Sequence, residues 1–553
     1  MCLISTAIMN YSKLIENKKE INSRIIPENL YKGSCVKIKN SKKTFQVIGI
    51  NIQKKISQKI IVASSGKIES IDPARATTLK TIQLLNSLGD TLYELNANGE
   101  LIPKLALGMP TISKNGLQII INLRKNVFFH DGTLFNADAF KFTFERFKRI
   151  GTMNYILGDK IKSIEAPSDY KIIINLKKPS SSLNGLLTSV NLTPISPTFY
   201  KNYSDKFLNE QFVGTGKYIL RRFSNEIQVM DPNLKYWGKS PNNKGINFVG
   251  YANSSSLFGA LKSKQIDVLL SNSIDDIQID SLRLLSKNNK LREGNSPATE
   301  ISFISFRTNI HPLNNLNVRL ALAKSLNRKF ISKKVSYGLR IPSRSIVPPI
   351  FKNGNQDLWP KYDPSEAKKL LQKEGYCNGN LLNIPLTYRS NVPADKLIAL
   401  TWQEEIKAVL NDCIEIKLNA VESTTIYKNL SLGIYTAVIL DWTGAYSDPE
   451  AYLTPLLSCS EIDKGVCKKG EAVYSGSFWG SNKVEKLFLE SEKVNGDKRL
   501  NKLLEIEKIA ANSIPYVPIW ISSQKAWSQI KISKPTFNGA GIISLSDLKL
   551  INE

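Results

Sequence analysis

The chain has 553 residues, 42% of them hydrophobic and 9% aromatic, and carries a formal net charge of +27. That length exceeds what one hydrophobic core supports and predicts two or three domains. The composition excludes a wholly disordered chain, and no apolar run reaches the roughly 18 residues of a membrane span. Residues 1–59 hold 12 Lys and Arg against three Glu, so +9 sits there and +18 in the remainder. The excess is spread thinly, without a block of like charges, aromatic interleaving or a recognised module. It therefore reads as solvated surface rather than as a nucleic-acid footprint.

In chain order, residues 1–59 are rich in Lys, Asn and Ser and read as an N-terminal extension, flexible or related to targeting. Residues 1–9 are apolar, but no basic region precedes them, so no clear signal peptide is visible. Cys2 would mark a lipoprotein attachment site only if translation begins upstream, and Cys35 lacks an apolar lead-in. Ordered structure is expected from a strand over residues 59–64, followed by Ile71-Asp72-Pro73-Ala74 and a helix around residues 78–88.

Residues 113–146 are the densest stretch. Asn115-Gly116 is hairpin-turn chemistry, because both central positions of that turn favour positive φ. Residues 117–123 form a β-branched run, and Val127-Phe128-Phe129 resume it before a second turn at His130-Asp131-Gly132. Asn136 stands where an N-cap belongs, ahead of apolar Ala139, Phe140, Phe142, Phe144 and Phe147, a broad apolar helix face. A strand follows over residues 170–177. Gly214-Thr215-Gly216-Lys217 is not a phosphate loop, since Gln211 replaces the first glycine and Tyr218 the magnesium-binding hydroxyl.

Farther along, residues 301–309 alternate as a strand and residues 318–328 read as one amphipathic helix. A second helix starts at Asp363-Pro364-Ser365-Glu366, where cap, first-turn proline and N3 acid agree. Catalysis finds little support. The only histidines are His130 and His311, and neither a His-Glu-x-x-His helix nor a Cys-x-x-Cys pair is present. No cofactor is expected. Cys459 and Cys467 flank a polar loop, and Cys377 and Cys413 each follow a helix end. Disulfides within these two pairs suit an oxidising compartment, and four free thiols suit a reducing one.

Residues 123–147, with Leu123-Arg124, Phe129-His130-Asp131-Gly132, Ala137-Asp138 and Glu145-Arg146, resemble the marker segment of the family 5 extracellular solute-binding proteins. These are the dipeptide, oligopeptide and nickel receptors of ABC importers. Asp72-Pro73-Ala74, Gly214-Thr215-Gly216, Tyr236-Trp237, residues 318–328 and Ile514-Pro515-Tyr516 resemble further elements of that family in order. The resemblance implies an α/β, bilobal type II periplasmic-binding-protein fold with an extra subdomain inserted in the first lobe. Lobe I would comprise residues 60–88, 212–299 and 520–553, the inserted subdomain residues 89–211, and lobe II residues 300–519. The chains would cross near residues 296–303 and 515–525. The implied protein is no enzyme but a periplasmic or cell-envelope monomer that passes a small, peptide-like solute to permease subunits. Its contact with the membrane would run through the permease or a lipid anchor. The alternatives are a receptor for a metal complex or an anionic small molecule and, from another class, a basic nucleic-acid binder.

The resemblance also implies a ligand segment at Trp442-Thr443-Gly444-Ala445-Tyr446-Ser447-Asp448-Pro449. Ala445 stands where peptide receptors hold the amine with an Asp. Candidate ligand-binding residues are Lys67, Arg307, Arg389, Trp442, Gly444, Ala445, Tyr446 and Asp448. Without an acid at residue 445, generic dipeptides are expected to bind weakly. If Lys67, Arg307 and Arg389 face the cleft, an anionic solute is expected to be preferred.

Overall fold

A computed structural model describes residues 59–551, apart from residues 77, 153, 155–159, 181, 204, 272–273 and 445. Cys2, Cys35 and the rest of residues 1–58 lie outside the described residues, as does Ala445. Among the described residues no helix is long and apolar enough to cross a membrane.

A mixed sheet runs through the whole body. From one edge its strands are Ile414–Val421, Leu382–Arg389, Ala437–Thr443, Leu291–Phe306, Tyr516–Gln529, Val268–Leu270, Ile60–Ser65, Ile246–Tyr251, Ile227–Pro232 and Tyr218–Phe223. Two of these are long and belong to both halves. Leu291–Phe306 pairs antiparallel with Tyr516–Gln529, from Leu291 against Gln529 to Ser305 against Tyr516. The register slips between Asn295 and Ala298 and again between Ala298 and Glu300. Pro297 explains the break, because a proline offers no N–H to the ladder. The Ser296 hydroxyl substitutes, accepting the Gln524 N–H at 2.8 Å. The crossing between the halves is thus a locally loosened two-strand ribbon.

Alternation along these strands separates two cores. Ile301, Phe303, Val438 and Leu440 face one cluster, whereas Ile304, Phe306, Ala437 and Ile439 face another built on the helix Pro393–Val409. The first cluster also takes in the smaller sheet of Thr111–Ile112, Gln118–Asn122, Lys171–Leu176 and Ile161–Ser168, covered by the helix Ala137–Ile150. One apolar body therefore joins the inserted segment to a face of the second half.

The marker residues explain themselves here. The Asn136 side chain accepts the Ala139 N–H at 3.0 Å, capping Ala137–Ile150. At the far end of that helix, Arg146 makes a bidentate ion pair with Asp72 at 2.9 and 2.6 Å, both side chains buried. His130 lies against the glycine turn, its Nε2 3.1 Å from the Gly216 carbonyl and its N–H donating to Gly214. Residues 130–146 are thus fastened at two points, to Asp72 and to the glycine turn. Residues 318–328 differ from expectation. They form the end of one helix, Leu316–Lys324, and the start of another, Arg328–Ser336. Asn327 makes the break, since its side chain accepts the Phe330 N–H and so caps the second helix. Val127 to Phe129 likewise makes only an isolated bridge, Phe128 with Leu134. Disulfides join Cys377 to Cys413 and Cys459 to Cys467.

Candidate functional site

A cavity of about 1050 Å³ opens between residues 160–180 and residues 427–493. One wall is Lys160 with Lys177, Lys178, Pro179 and Ser180, the turn that ends the strand Lys171–Leu176. The other wall is the end of the strand Ala437–Thr443 and the helices Glu450–Leu457, Glu471–Tyr474 and Asn482–Ser491. Phe303, Leu430, Leu440, Trp442, Leu456 and Phe488 make the interior apolar. The size and the mixture of an apolar lining with a few polar groups are those of a small-molecule site.

An ion network closes the two walls on each other. The Lys160 ammonium donates to Ser182 at 2.6 Å in its own segment, and to Glu450 at 2.6 Å and Glu492 at 3.0 Å across the gap. Behind it, Arg499 grips Asp448 with two bonds of 2.8 Å and reaches Glu450 at 2.8 Å. Burial opposes ionisation of Glu450, yet the Lys160 and Arg499 charges hold its carboxyl below the ordinary range. The backbone approach is close here. A Cβ on Gly185 would lie 2.9 Å from the Ser447 carbonyl oxygen, so the contact requires glycine.

The candidate residues from the sequence divide. Trp442 and Tyr446 line the cavity. The Trp442 indole donates to the Ala451 carbonyl at 2.8 Å, which fixes its ring, and Tyr446 is buried. Gly444 is needed for packing, because a Cβ there would meet the Tyr452 ring at 2.7 Å. Asp448 is occupied by Arg499 and by the Glu450 N–H, and it does not line the cavity. The three basic candidates are elsewhere. Lys67 is an exposed partner of Glu226 at 2.9 Å. Arg307 bonds the Asn309 side chain and the Gly433 carbonyl and lies over the Phe478 ring. Arg389 is buried, bidentate to Asp395, 2.7 Å from Asp441 and 3.1 Å from the Tyr427 hydroxyl, so only its partners Asp441 and Tyr427 line the cavity. None of the three lines this cavity.

Sequence reasoning missed Lys160, Glu450, Glu471 and Glu492. Glu450 stood beside the ligand segment, but Lys160 lies 290 residues from it, and no local pattern signals such a contact.

The family model for bacterial extracellular solute-binding proteins, family 5, matches residues 100–464. The chain belongs to that family. It is a solute-binding protein rather than an enzyme. The nickel-binding periplasmic protein of Escherichia coli is 26% identical over 480 residues, covering 81% of this chain and 89% of that protein. Heme-binding protein A of Haemophilus influenzae is 26% identical over 441 residues, covering 74% and 77%. Among solved structures, NikA from Brucella suis in complex with Fe(III)-EDTA superposes with a TM-score of 0.79 at 21% identity, covering 89% of this chain and all of that one. A dipeptide-binding protein from Pseudoalteromonas sp. in complex with Met-Leu gives 0.73 at 23% identity, with the same coverage. These likenesses establish the type II periplasmic-binding-protein fold.

Proposed function

We propose that this family 5 protein captures a small organic solute in the cavity between the inserted segment and lobe II. It then delivers that solute to the permease of an ABC importer in the cell envelope. The single observation that carries the reading is the cavity itself. It is apolar within, fringed by charged groups, and closed by an ion network whose members come from both walls. Residues 60–88, 212–299 and 520–551 would move as one lobe with the insert, residues 300–519 as the other, bending where Pro297 interrupts the ribbon. Peptide-like solutes are the leading class, because the cavity offers charges of both signs around an apolar floor.

The test is native mass spectrometry of solute retained by purified protein, compared with Thr454→Trp and Leu489→Trp, which each place an indole in the cavity. Both variants are expected to lose the retained solute while keeping the native melting temperature. Retention of solute by both folded variants would show that it sits elsewhere and would end this assignment.

A further inference from the structure

Among the carboxylates that line the cavity, most are already engaged. Asp441 is held by Arg389, Glu450 and Glu492 by Lys160, and Glu485 by the Cys459 N–H. Glu471 is different. Its carboxylate is partly buried at the cavity wall, and among the described residues no hydrogen bond or ion pair reaches it. Burial pushes its pKa up, as expected of a carboxylate short of donors. The Thr454 hydroxyl, buried without a partner among the described residues, also lines the cavity. Lys178 and Lys493 also line the cavity, both are exposed, and among the described residues no ion pair involves either.

We infer that Glu471 is the acceptor for a solute's free amine, with Lys178 and Lys493 meeting an acidic group at its other end. This assignment rests on the cavity reading above. The cavity would thus select zwitterions with an apolar middle, and amine recognition would have moved from residue 445 to a carboxylate on a different element. The physical ground is complementarity. A half-buried carboxylate lacking donors gains most from an ammonium, whose charge-assisted hydrogen bonds are about twice as strong as neutral ones. Ala445 offers no competing carboxylate.

The experiment uses a mixed dipeptide library, its N-acetylated form and its C-amidated form, with binding read by native mass spectrometry and calorimetry. The proteins are native, Glu471→Gln, Lys178→Ala/Lys493→Ala and Thr454→Trp, each checked for an unchanged melting temperature. Native protein is expected to bind free-amine members and to reject acetylated ones. Glu471→Gln should bind the free-amine members about ten- to hundredfold more weakly. The double lysine variant should lose its preference for the free carboxylate over the amide. Equal binding of free and acetylated forms, an unaltered Glu471→Gln, or no library binding at all would overturn the inference. If Thr454→Trp abolishes binding but Glu471→Gln does not, the cavity assignment stands and only the role of Glu471 falls. If both bind as the native protein does, the cavity assignment falls as well.

Discussion

At Glu507 a carboxylate is buried among neutral donors alone. One of its oxygens accepts the Ser345 hydroxyl at 2.6 Å and the Ile346 and Val347 N–H groups at 2.9 and 3.3 Å. Burial outweighs these bonds and pushes its pKa up to about 7. A folded pKa above the unfolded one means the folded state holds the proton more tightly. Its contribution is full below the ordinary glutamate range and fades as pH rises through about 7. That shift corresponds to about 3 kcal/mol. Glu507→Gln keeps an acceptor oxygen and removes the titration. Chemical denaturation between pH 4.5 and 7 should show the native protein losing stability relative to this variant; parallel curves would contradict the assignment. Residue-level chemistry was legible in the sequence where it is local. Asn136 and Asp363 cap their helices because the cap bond spans three residues, to Ala139 and Glu366. Asn327 has the same chemistry and was read as helix interior, because the apolar pattern on either side of it runs on unbroken. Glu471 gave no signal, since a carboxylate's lack of partners is a fact of packing.

Between elements, the buried pair of Arg146 with Asp72 binds the marker helix to the turn after the first strand. Both groups are fully buried, so removing one leaves the other's charge stranded. Arg146→Met is expected to cost about 3 to 5 kcal/mol in urea unfolding. A loss under about 1 kcal/mol would mean the pair contributes little. The two disulfides close loops of unequal length, 36 and 8 residues. In the chain-entropy picture these are worth about 4 and about 2.5 kcal/mol. Cys377→Ser/Cys413→Ser should therefore lower the melting temperature more than Cys459→Ser/Cys467→Ser, and the reverse order would point to enthalpic effects. The elements themselves could be read from hydrophobic period and turn residues. The full reach of Leu291–Phe306 could not, because its first half carries Arg292, Glu293, Gly294 and Asn295 in place of an apolar pattern. Tertiary pairing with Tyr516–Gln529 makes that half a strand.

For the molecule as a whole, Lys160 ties one wall of the cavity to the other, and under the proposed hinge its contacts favour closure. Lys160→Met removes the cation that joins the insert to Glu450 and Glu492, and leaves Glu450 with Arg499 alone. The Lys160 side chain is 25% exposed, so the loss is put at roughly 1 to 3 kcal/mol rather than the full cost of a buried pair. Small-angle scattering should report a more extended particle for this variant. An unchanged radius of gyration would show that apolar contact alone holds the walls together. The pH sense follows from Glu450, whose carboxyl lies below its ordinary range. Its contribution to closure is present at neutral pH and disappears as acid protonates it below that range. The bilobal plan was legible because family-like segments follow one another along the chain. The position of the cavity was not, because its walls come from residues 160–180, from Phe303 and from residues 427–493, which only tertiary packing brings together.

The Lys160 contacts join the two walls directly, side chain to side chain. Under the proposed hinge, only the fraction of molecules in which those contacts are broken can admit a solute. The apparent dissociation constant is raised by that fraction, while a captured solute dwells longer. Weakening the Lys160 contacts should speed both uptake and release, and strengthening them should slow both.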